Sequence, residues 1–341
     1  MLGRCAISFD HRASRALIAL LFGLTALTTH AADDAQAWLE RMSHALATRS
    51  YDGQFVHVLN GRAENMRIVH RFENGVVTER LASLDGSGRE LVRTDSQVTY
   101  YLPDKRKVIV ERRTDPNSLV ANIPIYSPQL VAYYELSAPR SGRMLDRPAQ
   151  LIAIMPRDRF RYGYRVWVDK ATAMPLRSEL RDADDRVIEQ MVFSELRLLS
   201  MVKPELLQPA VSADGFQWIR QDVHARRLVV DARGRIAGWT VVNPPDGFRL
   251  TASQEQNMGG SNARVRHIVF SDGLASVSIF IEPKVQPRPD RLGLSRVGAS
   301  FAFVADRQDY WVTAVGEVPA TTVEALARGM KLEVDSAAAA R

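Results

Sequence analysis

Polar and apolar side chains alternate in the C-terminal third of the chain in a way that predicts a β-hairpin. Along residues 275–282 every second side chain is apolar, which is the period of a strand with one buried face. Asp272-Gly273 separates this run from the apolar run before it, and such a dipeptide tolerates the positive φ angles of a tight type I′ turn. Because an isolated hairpin is marginally stable in water, the pattern predicts further strands paired with it.

The first half of the chain has the pattern of one helix followed by many short strands. Residues 33–50 place apolar side chains on one helical face, which predicts a helix packed on a sheet. Apolar runs separated by turn dipeptides such as Asn60-Gly61 and Asn74-Gly75 follow over residues 51–113 and resume over residues 145–198. These features predict an antiparallel meander.

A proline-rich insert interrupts the meander. Residues 115–142 carry four prolines among apolar side chains. Such an insert predicts either a plug or lid over the open face of the sheet, or an ordinary packed loop with a short helix at residues 130–136. The pattern leaves both interpretations open.

Two prolines divide the chain after the first set of strands. Pro204 and Pro209 favour an interdomain linker, and a second run of strands ends in a helix predicted at residues 323–330. The predicted fold is mainly β (α+β), with two antiparallel sheets. The expected division is a signal peptide, a first domain, a linker, a second domain and a tail: 1–31, 32–202, 203–214, 215–334 and 335–341.

The N-terminal segment has the pattern of a secretory signal peptide. Basic side chains precede an apolar run at residues 16–27, which is shorter than the roughly 20 residues of a helical span. Small residues precede the expected cleavage point after Ala31. The alternative is an uncleaved anchor. As a signal peptide this segment would direct export of the chain and then be removed.

Composition and charge exclude several classes of protein. The chain is 46% hydrophobic and 25% charged, which fits neither a disordered nor a multispan membrane protein. Cys5 is the only cysteine and lies in the signal segment, so the processed chain is expected to have no disulfide and no thiolate. Removal of residues 1–31 lowers the net charge from +6 to +4, which does not by itself indicate a nucleic-acid partner.

Catalytic motifs are missing from the sequence. It contains no HExxH zinc motif, GxSxG elbow, phosphate-binding loop or GxGxxG. The histidines beyond the signal segment have no ligand spacing: His44, His57, His70, His224 and His267. We therefore expect no enzyme activity, no metal site and no cofactor.

A set of apolar residues would share one face of the first sheet. They form either the core under the N-terminal helix or the concave face of a half-barrel that holds an acyl chain. Burying a dozen methylenes contributes roughly 10 kcal/mol, so such a cavity needs no strong polar contact. The candidate lipid-binding residues are Phe55, Tyr100, Leu102, Tyr164, Val166, Val168, Leu180, Met191 and Phe193.

Four arginines interleave with aromatic side chains close to this face. Charged side chains of this kind often protect solvated strand edges from aggregation. Arginine also binds phosphate oxygens in a forked geometry, which predicts an anion-binding rim for lipid headgroups. The candidate rim residues are Arg157, Arg159, Arg161 and Arg165.

Five motifs resemble one known family. They are YDGQFVHV at 51–58, LASLDGSGRELVR at 81–93, RYGYRVWVD at 161–169, RHIVFSDGLASVSIFIE at 266–282 and WVTAVGEVP at 311–319. Together they resemble the RseB/MucB family of periplasmic regulators of the envelope-stress sigma factor.

The resemblance implies a fold, a location and partners. It implies a LolA-like unclosed β-barrel wrapped around helices, plus a smaller antiparallel sheet domain with a helix, in the periplasm. The implied partner is the periplasmic region of a single-span anti-sigma factor, which the chain would protect from regulated proteolysis. Lipopolysaccharide or lipoprotein acyl chains would release that partner. A homodimer is left open.

Partner and lipid are expected to favour different arrangements of the two domains. Each ligand can shift the equilibrium between these arrangements only by its difference in affinity for them. The alternative function is a periplasmic lipid or lipoprotein carrier. The second domain discriminates between the two, since a simple carrier has no evident need for it. A secreted hydrolase is disfavoured because the sequence shows no set of a nucleophile and a base.

Overall fold

The computed structural model describes residues 34–94, 97–112, 119, 123–221, 236, 238–257, 264–284 and 292–332. The expected signal peptide, His224 and the expected C-terminal tail lie outside these residues, as does part of the proline-rich insert. No helix within the described residues combines the length and the apolar character needed to cross a membrane.

Most of the described chain is in strands. The helices are α1 (34–48), α2 (Leu130–Tyr133) and α3 (Ala320–Gly329). The strands are β1 (Tyr51–Leu59), β2 (Arg62–Glu73), β3 (Val76–Ser83), β4 (Glu90–Thr94), β5 (Gln97–Leu102), β6 (Lys107–Arg112), β7 (Tyr134–Met144), β8 (Arg147–Pro156), β9 (Gly163–Asp169), β10 (Pro175–Arg181), β11 (Val187–Leu198), β12 (Gln217–Gln221), β13 (Trp239–Val241), β14 (Arg249–Asn257), β15 (Arg264–Ser271), β16 (Ser276–Pro283), β17 (Gly293–Val297), β18 (Ser300–Arg307), β19 (Tyr310–Gly316) and β20 (Met330–Leu332).

The first sheet is large and unclosed. Its twelve strands run in the order β12-β6-β5-β4-β3-β2-β1-β11-β10-β9-β8-β7, with β12 and β7 at the edges. All neighbouring pairs are antiparallel except β12 and β6, which are parallel. The predicted meander is therefore confirmed, and the sheet can wrap around other elements because its edges do not pair with each other.

Helix α1 packs its apolar face into this sheet, as the pattern over residues 33–50 predicts. Full burial of one such side chain contributes about 1.5–3 kcal/mol, so the helix is held mainly by its packing. Part of the proline-rich insert joins the same core through Leu119, Ile123 and Leu130. The buried residues of α1 are Ala35, Leu39, Met42, Ala45 and Leu46.

The second domain is a six-stranded antiparallel sheet in the order β14-β15-β16-β19-β18-β17. Strands β13 and β20 form a small separate sheet. Helix α3 packs against β18 and β19 and contributes Val323 and Leu326 to a second apolar core. Val277 and Ile279 of β16 are fully buried in this core, which confirms the alternation in residues 275–282.

The turn of the β15–β16 hairpin differs from the tight type I′ turn expected from the sequence. The last strand pair is Ser271 with Ser276, so the loop contains the four residues between them. Only Gly273 has a positive φ in this described loop, at 104°. The loop is wider because the Asp272 Oδ1 atom accepts hydrogen bonds from the backbone N–H groups of Leu274 and Ala275.

Strand β12 also differs from expectation. The pattern of residues 215–219 predicts the first strand of the second domain, whereas β12 pairs with β6 and extends the first sheet. A local alternation of side chains specifies a strand but not its neighbour, which is why the pairing was not foreseen. The chain crosses between the domains only after this strand.

Candidate functional site

Arg161 lies at the centre of the contact between the two domains. Its side chain is completely buried, and Nε donates a hydrogen bond of 2.6 Å to Asp272 Oδ2 in the β15–β16 loop of the second domain. The guanidinium also contacts the carboxylate of Asp158 and donates to the backbone carbonyl of Asp246. A buried charge of this kind is stable only when its hydrogen bonds are satisfied, as they are here.

Aromatic rings enclose the same guanidinium. The Arg161 Cζ atom lies 4.7 Å from the ring centroid of Tyr133 and 5.0 Å from that of Phe248. Cations are attracted to such ring faces, and the attraction strengthens when water is excluded. The Tyr134 hydroxyl donates to Asp272 Oδ2 at 2.9 Å, and burial raises the pKa of Tyr134, so this group remains a donor.

Asp272 therefore serves two structures at once. One carboxylate oxygen holds the β15–β16 loop through Leu274 and Ala275, and the other binds Arg161 and Tyr134 of the first domain. The aspartate that closes the hairpin is also the aspartate that joins the domains. A change in the conformation of the β15–β16 loop therefore alters the contact between the domains, and a change in that contact alters the loop.

Each domain also inserts an apolar side chain against the core of the other. Phe160 packs against the second core, and Leu274 packs against the first. The Thr322 hydroxyl at the start of α3 donates to the Phe160 carbonyl at 2.7 Å. Gly247 allows this approach, because a Cβ atom there would lie 2.6 Å from the Tyr133 ring.

The structure brings together most of the candidate lipid-binding residues. The interior that the sequence left open is filled in this structure by the apolar face of α1. Leu180 is buried and Leu102 is half-buried, and both lie outside the cluster. The residues that share the α1 core are Phe55, Val166, Val168, Met191 and Phe193, with Tyr100 and Tyr164 packed against it.

A cavity of about 510 Å³ opens on the other side of α1. It lies between the helix and the β9–β10 turn and is separate from the candidate lipid face. Its volume falls within the range of small-molecule sites. The lining residues are Glu40, Arg41, His44, Ala45, Thr48, Arg49, Thr172 and Ala173.

The four candidate rim arginines do not form one set. Arg157 and Arg159 are exposed, and Arg165 pairs with Asp185 at 2.8 Å. Arg161 is not on the rim, which corrects the expectation for this residue. Its desolvation is compensated by Asp158 and Tyr133 of the first domain and by Asp272 and Phe248 of the second domain.

The sequence and the fold have counterparts in known proteins. The family model of the MucB/RseB N-terminal domain matches residues 34–211, and that of the MucB/RseB C-terminal domain matches residues 234–331. The chain belongs to the MucB/RseB family. The resemblance predicted from the five motifs is thus confirmed.

Relatives with curated names extend over almost the whole chain. The sigma factor AlgU regulatory protein MucB of Pseudomonas aeruginosa is 30% identical over 328 residues, covering 93% of this chain and 97% of that protein. The sigma-E factor regulatory protein RseB of Escherichia coli K12 is 25% identical over 324 residues, covering 92% and 94%.

Solved MucB structures share the fold. The crystal structure of MucB in complex with MucA(peri) has a TM-score of 0.68 at 30% identity and covers 88% of this chain and 99% of that one. The crystal structure of MucB has a TM-score of 0.59 at 29% identity and covers 88% and 98%. Both structures therefore match this chain over most of its length.

Two charged residues of this MucB/RseB chain have roles that differ from those predicted from the sequence. The sequence predicts a turn role for Asp272 and a rim role for Arg161, whereas the two side chains form a buried ion pair. Both lie inside motifs that carried the family resemblance, where a charge adjoins a strongly apolar strand. That shared position was the available signal that the two side chains have buried partners.

Proposed function

We propose that this chain is a negative regulator of an envelope-stress sigma factor. It binds the periplasmic region of a single-span anti-sigma factor and protects that region from regulated proteolysis. The observation that carries the proposal is the similarity to MucB in complex with MucA(peri), which extends over both domains.

The proposed activity is binding without bond formation or cleavage. The first 31 residues act as a cleaved signal peptide, and the remainder works in the periplasm. We assign a lipid-sensing domain to residues 32–202, a linker to 203–214 and a second β domain to 215–334, from which strand β12 reaches back to extend the first sheet. The direct contacts of Arg161 and Asp272 hold the two domains in one arrangement.

Lipid releases the partner in this proposal. Acyl chains of lipopolysaccharide or lipoproteins occupy the apolar face that α1 covers here, and Arg157 and Arg159 receive the phosphate groups. Because α1 fills that face, acyl chains must displace it. Displacement of α1 changes the support of the domain interface, since Leu274 packs against the same core.

A capture experiment tests the partner assignment. The processed chain, residues 32–341, is immobilised and incubated with detergent-solubilised envelopes of its own bacterium. Recovery of a single-span anti-sigma protein supports the proposal. Recovery of lipoproteins in its place favours the alternative function, a lipid or lipoprotein carrier.

A second experiment tests the lipid step. Retention of the captured partner is measured with increasing lipopolysaccharide for the wild type and for Arg157→Gln/Arg159→Gln. We expect the double variant to require more lipopolysaccharide for release. Arg186→Gln is the matched control, because Arg186 is 72% exposed and its pairs with Asp182 and Asp184 lie at a hairpin turn.

A further inference from the structure

The two edge strands of the first sheet differ in how they are protected against further pairing. Strand β7 contains Pro139, has an irregular register between Ser137 and Arg140, and exposes the side chains of Arg140 and Arg143. Proline, bulges and exposed charges of this kind hinder the addition of a strand to an edge. Strand β12, at the other end of the strand order, contains no proline and pairs with β6 without a register shift. Of the two edges of this sheet, β12 is therefore the one that a further strand can join.

The backbone of β12 has polar groups on the side that faces away from β6. The N–H group of Gln217 donates a hydrogen bond of 2.9 Å to the carbonyl of Arg106, so it points toward β6. Successive residues of a strand direct their backbone groups to alternate sides, so those of Trp218 and Arg220 point away from β6. No strand of the described residues pairs with that side. The free edge therefore offers the N–H donors and carbonyl acceptors that an added strand requires.

Trp218 and Arg220 also direct their side chains to one face of the sheet, beside the free edge. The Trp218 side chain is 53% exposed, and its ring meets that of Tyr101 edge to face with 6.5 Å between the centroids. A large aromatic side chain that packs on one side and is exposed on the other is typical of a residue that binds a partner. Ile219 lies on the opposite face of β12 and is half-buried. A strand added to β12 can therefore place apolar side chains against both Trp218 and Ile219.

The side chains around β12 carry a net positive charge. Residues 103–112 and 214–221 contain five basic and three acidic side chains, a net charge of +2. Arg220 is exposed, and the Arg106 guanidinium lies at the start of β12, since a Cβ atom on Gly215 would be 3.2 Å from its Nη2 atom. Neither arginine forms an ion pair within the described residues. A second copy of this edge would be repelled, whereas an acidic segment would be attracted.

We propose that β12 is a docking edge for an acidic, extended segment of a partner protein, which joins the twelve strands of the first sheet as a thirteenth. The backbone of this segment pairs with Trp218 and Arg220. Its apolar side chains contact Trp218 and Ile219, and its carboxylates lie near Arg106 and Arg220. The paired backbone contributes affinity, and the side chains select the sequence. Docking at this edge does not require the proposed regulatory function.

Peptide binding to the processed chain, residues 32–341, tests the proposal. The probe is a fluorescein-labelled peptide of sequence VEVEVEV, and its binding is followed by fluorescence anisotropy. One control, VKVKVKV, has the same alternation with the opposite charge. The other, VEPEVEV, keeps every carboxylate but has a proline that removes a backbone donor. We expect the probe to bind at least about tenfold more tightly than either control, and the absence of binding by the probe would overturn the proposal.

A charge reversal establishes whether the peptide binds at β12. Arg220→Glu changes the charge beside Trp218, so we expect this variant to prefer VKVKVKV to VEVEVEV. Arg143→Glu makes the same change on β7, where the Arg143 side chain is exposed, and should keep the wild-type preference. Equal effects of the two variants would show that the peptide responds only to the net charge of the protein, which would overturn the docking edge.

A proline variant separates the backbone of β12 from its charge. Arg220→Pro removes an N–H group that points away from the sheet, and proline is accepted at such edge positions, so β12 can stay paired with β6. Arg220→Gln removes the same charge but keeps the N–H group. We expect Arg220→Pro to bind VEVEVEV more weakly than Arg220→Gln, and circular dichroism establishes that both are folded. The same affinity in both folded variants would contradict strand addition.

The fluorescence of Trp218 reports the position of the bound peptide. Because the peptide covers this exposed ring, we expect tryptophan emission to shift to shorter wavelength on saturation with unlabelled VEVEVEV. The shift should be lost in Trp218→Phe, and a shift that persists in this variant would place the peptide elsewhere and overturn the proposal.

Sedimentation velocity without peptide tests the other occupant of the edge, a second copy of this chain. We expect a monomer, and self-association that Arg220→Pro abolishes would identify the second copy as the occupant and overturn the acidic segment. Because no anti-sigma factor is present in any of these measurements, their outcome is independent of the proposed regulatory function.

Discussion

Arg161 and Asp272 are 111 residues apart in the chain, come from different domains and form an ion pair in which neither side chain is exposed. The pair is the buried ionic contact that, together with the packing of Phe160 and Leu274, holds the two β domains in a defined arrangement. The linker alone would not impose it, since interfaces between domains of one chain are usually modest and permit relative motion.

Asp272→Asn tests the importance of this pair. It keeps the shape of the side chain but directs an amide donor or a neutral oxygen at Arg161, so we expect a loss of about 3–5 kcal/mol in the free energy of unfolding. Arg328→Gln is the control, because the Arg328–Glu324 pair is exposed and should contribute less than about 1 kcal/mol. Urea denaturation followed by tryptophan fluorescence measures both. Equal losses in the two variants would refute a stabilising role for the buried pair.

Gly247→Ala tests the close approach of the domains. Gly247 and Gly293 both have a φ of 84°, so alanine at either position carries about 1–2 kcal/mol of left-handed strain. Only Gly247 also faces Tyr133, whereas no atom of the described residues lies within 4 Å of a Cβ atom on Gly293. We expect Gly247→Ala to lower the melting temperature by clearly more than Gly293→Ala, since overpacking adds about 1–3 kcal/mol. The same melting temperature in both variants would show that the contact is easily relieved.

His70→Gln tests a pH dependence within the first domain. His70 is 1% exposed and stacks on Tyr51, and burial lowers its pKa below 6.5. The unfolded chain therefore binds a proton below pH 6.5 that the folded chain does not, and stability falls as the pH decreases. We expect this fall to be smaller in His70→Gln. His44→Gln changes an exposed histidine on α1 and should keep the wild-type slope; an unchanged slope in His70→Gln would contradict the assignment.

Local patterns predicted the elements well. The alternation in residues 275–282 and the amphipathic face of residues 33–50 both reflect one buried side, and the structure buries Val277, Ile279, Leu39 and Met42 accordingly. Burial of one face is a property of a short segment, and its signal is therefore complete within that segment.

Pairings between residues that are distant in the sequence cannot be predicted from such local patterns. The pairing of β12 with β6 and of Arg161 with Asp272 joins segments about a hundred residues apart, and nothing in either segment specifies the other. The hairpin turn was misjudged for a related reason, because the Asp272 side chain competes with the backbone for hydrogen bonds. Whether the apolar face binds lipid or only packs on α1 depends on a conformational equilibrium rather than on a pattern.

The most direct measurement of the central claim is the affinity of the processed chain for the periplasmic region of its anti-sigma factor, determined by calorimetry with and without lipopolysaccharide. The account predicts a specific complex that lipopolysaccharide weakens, with a smaller effect on Arg157→Gln/Arg159→Gln than on Arg186→Gln. An absence of binding, or an affinity that lipopolysaccharide leaves unchanged, would contradict it.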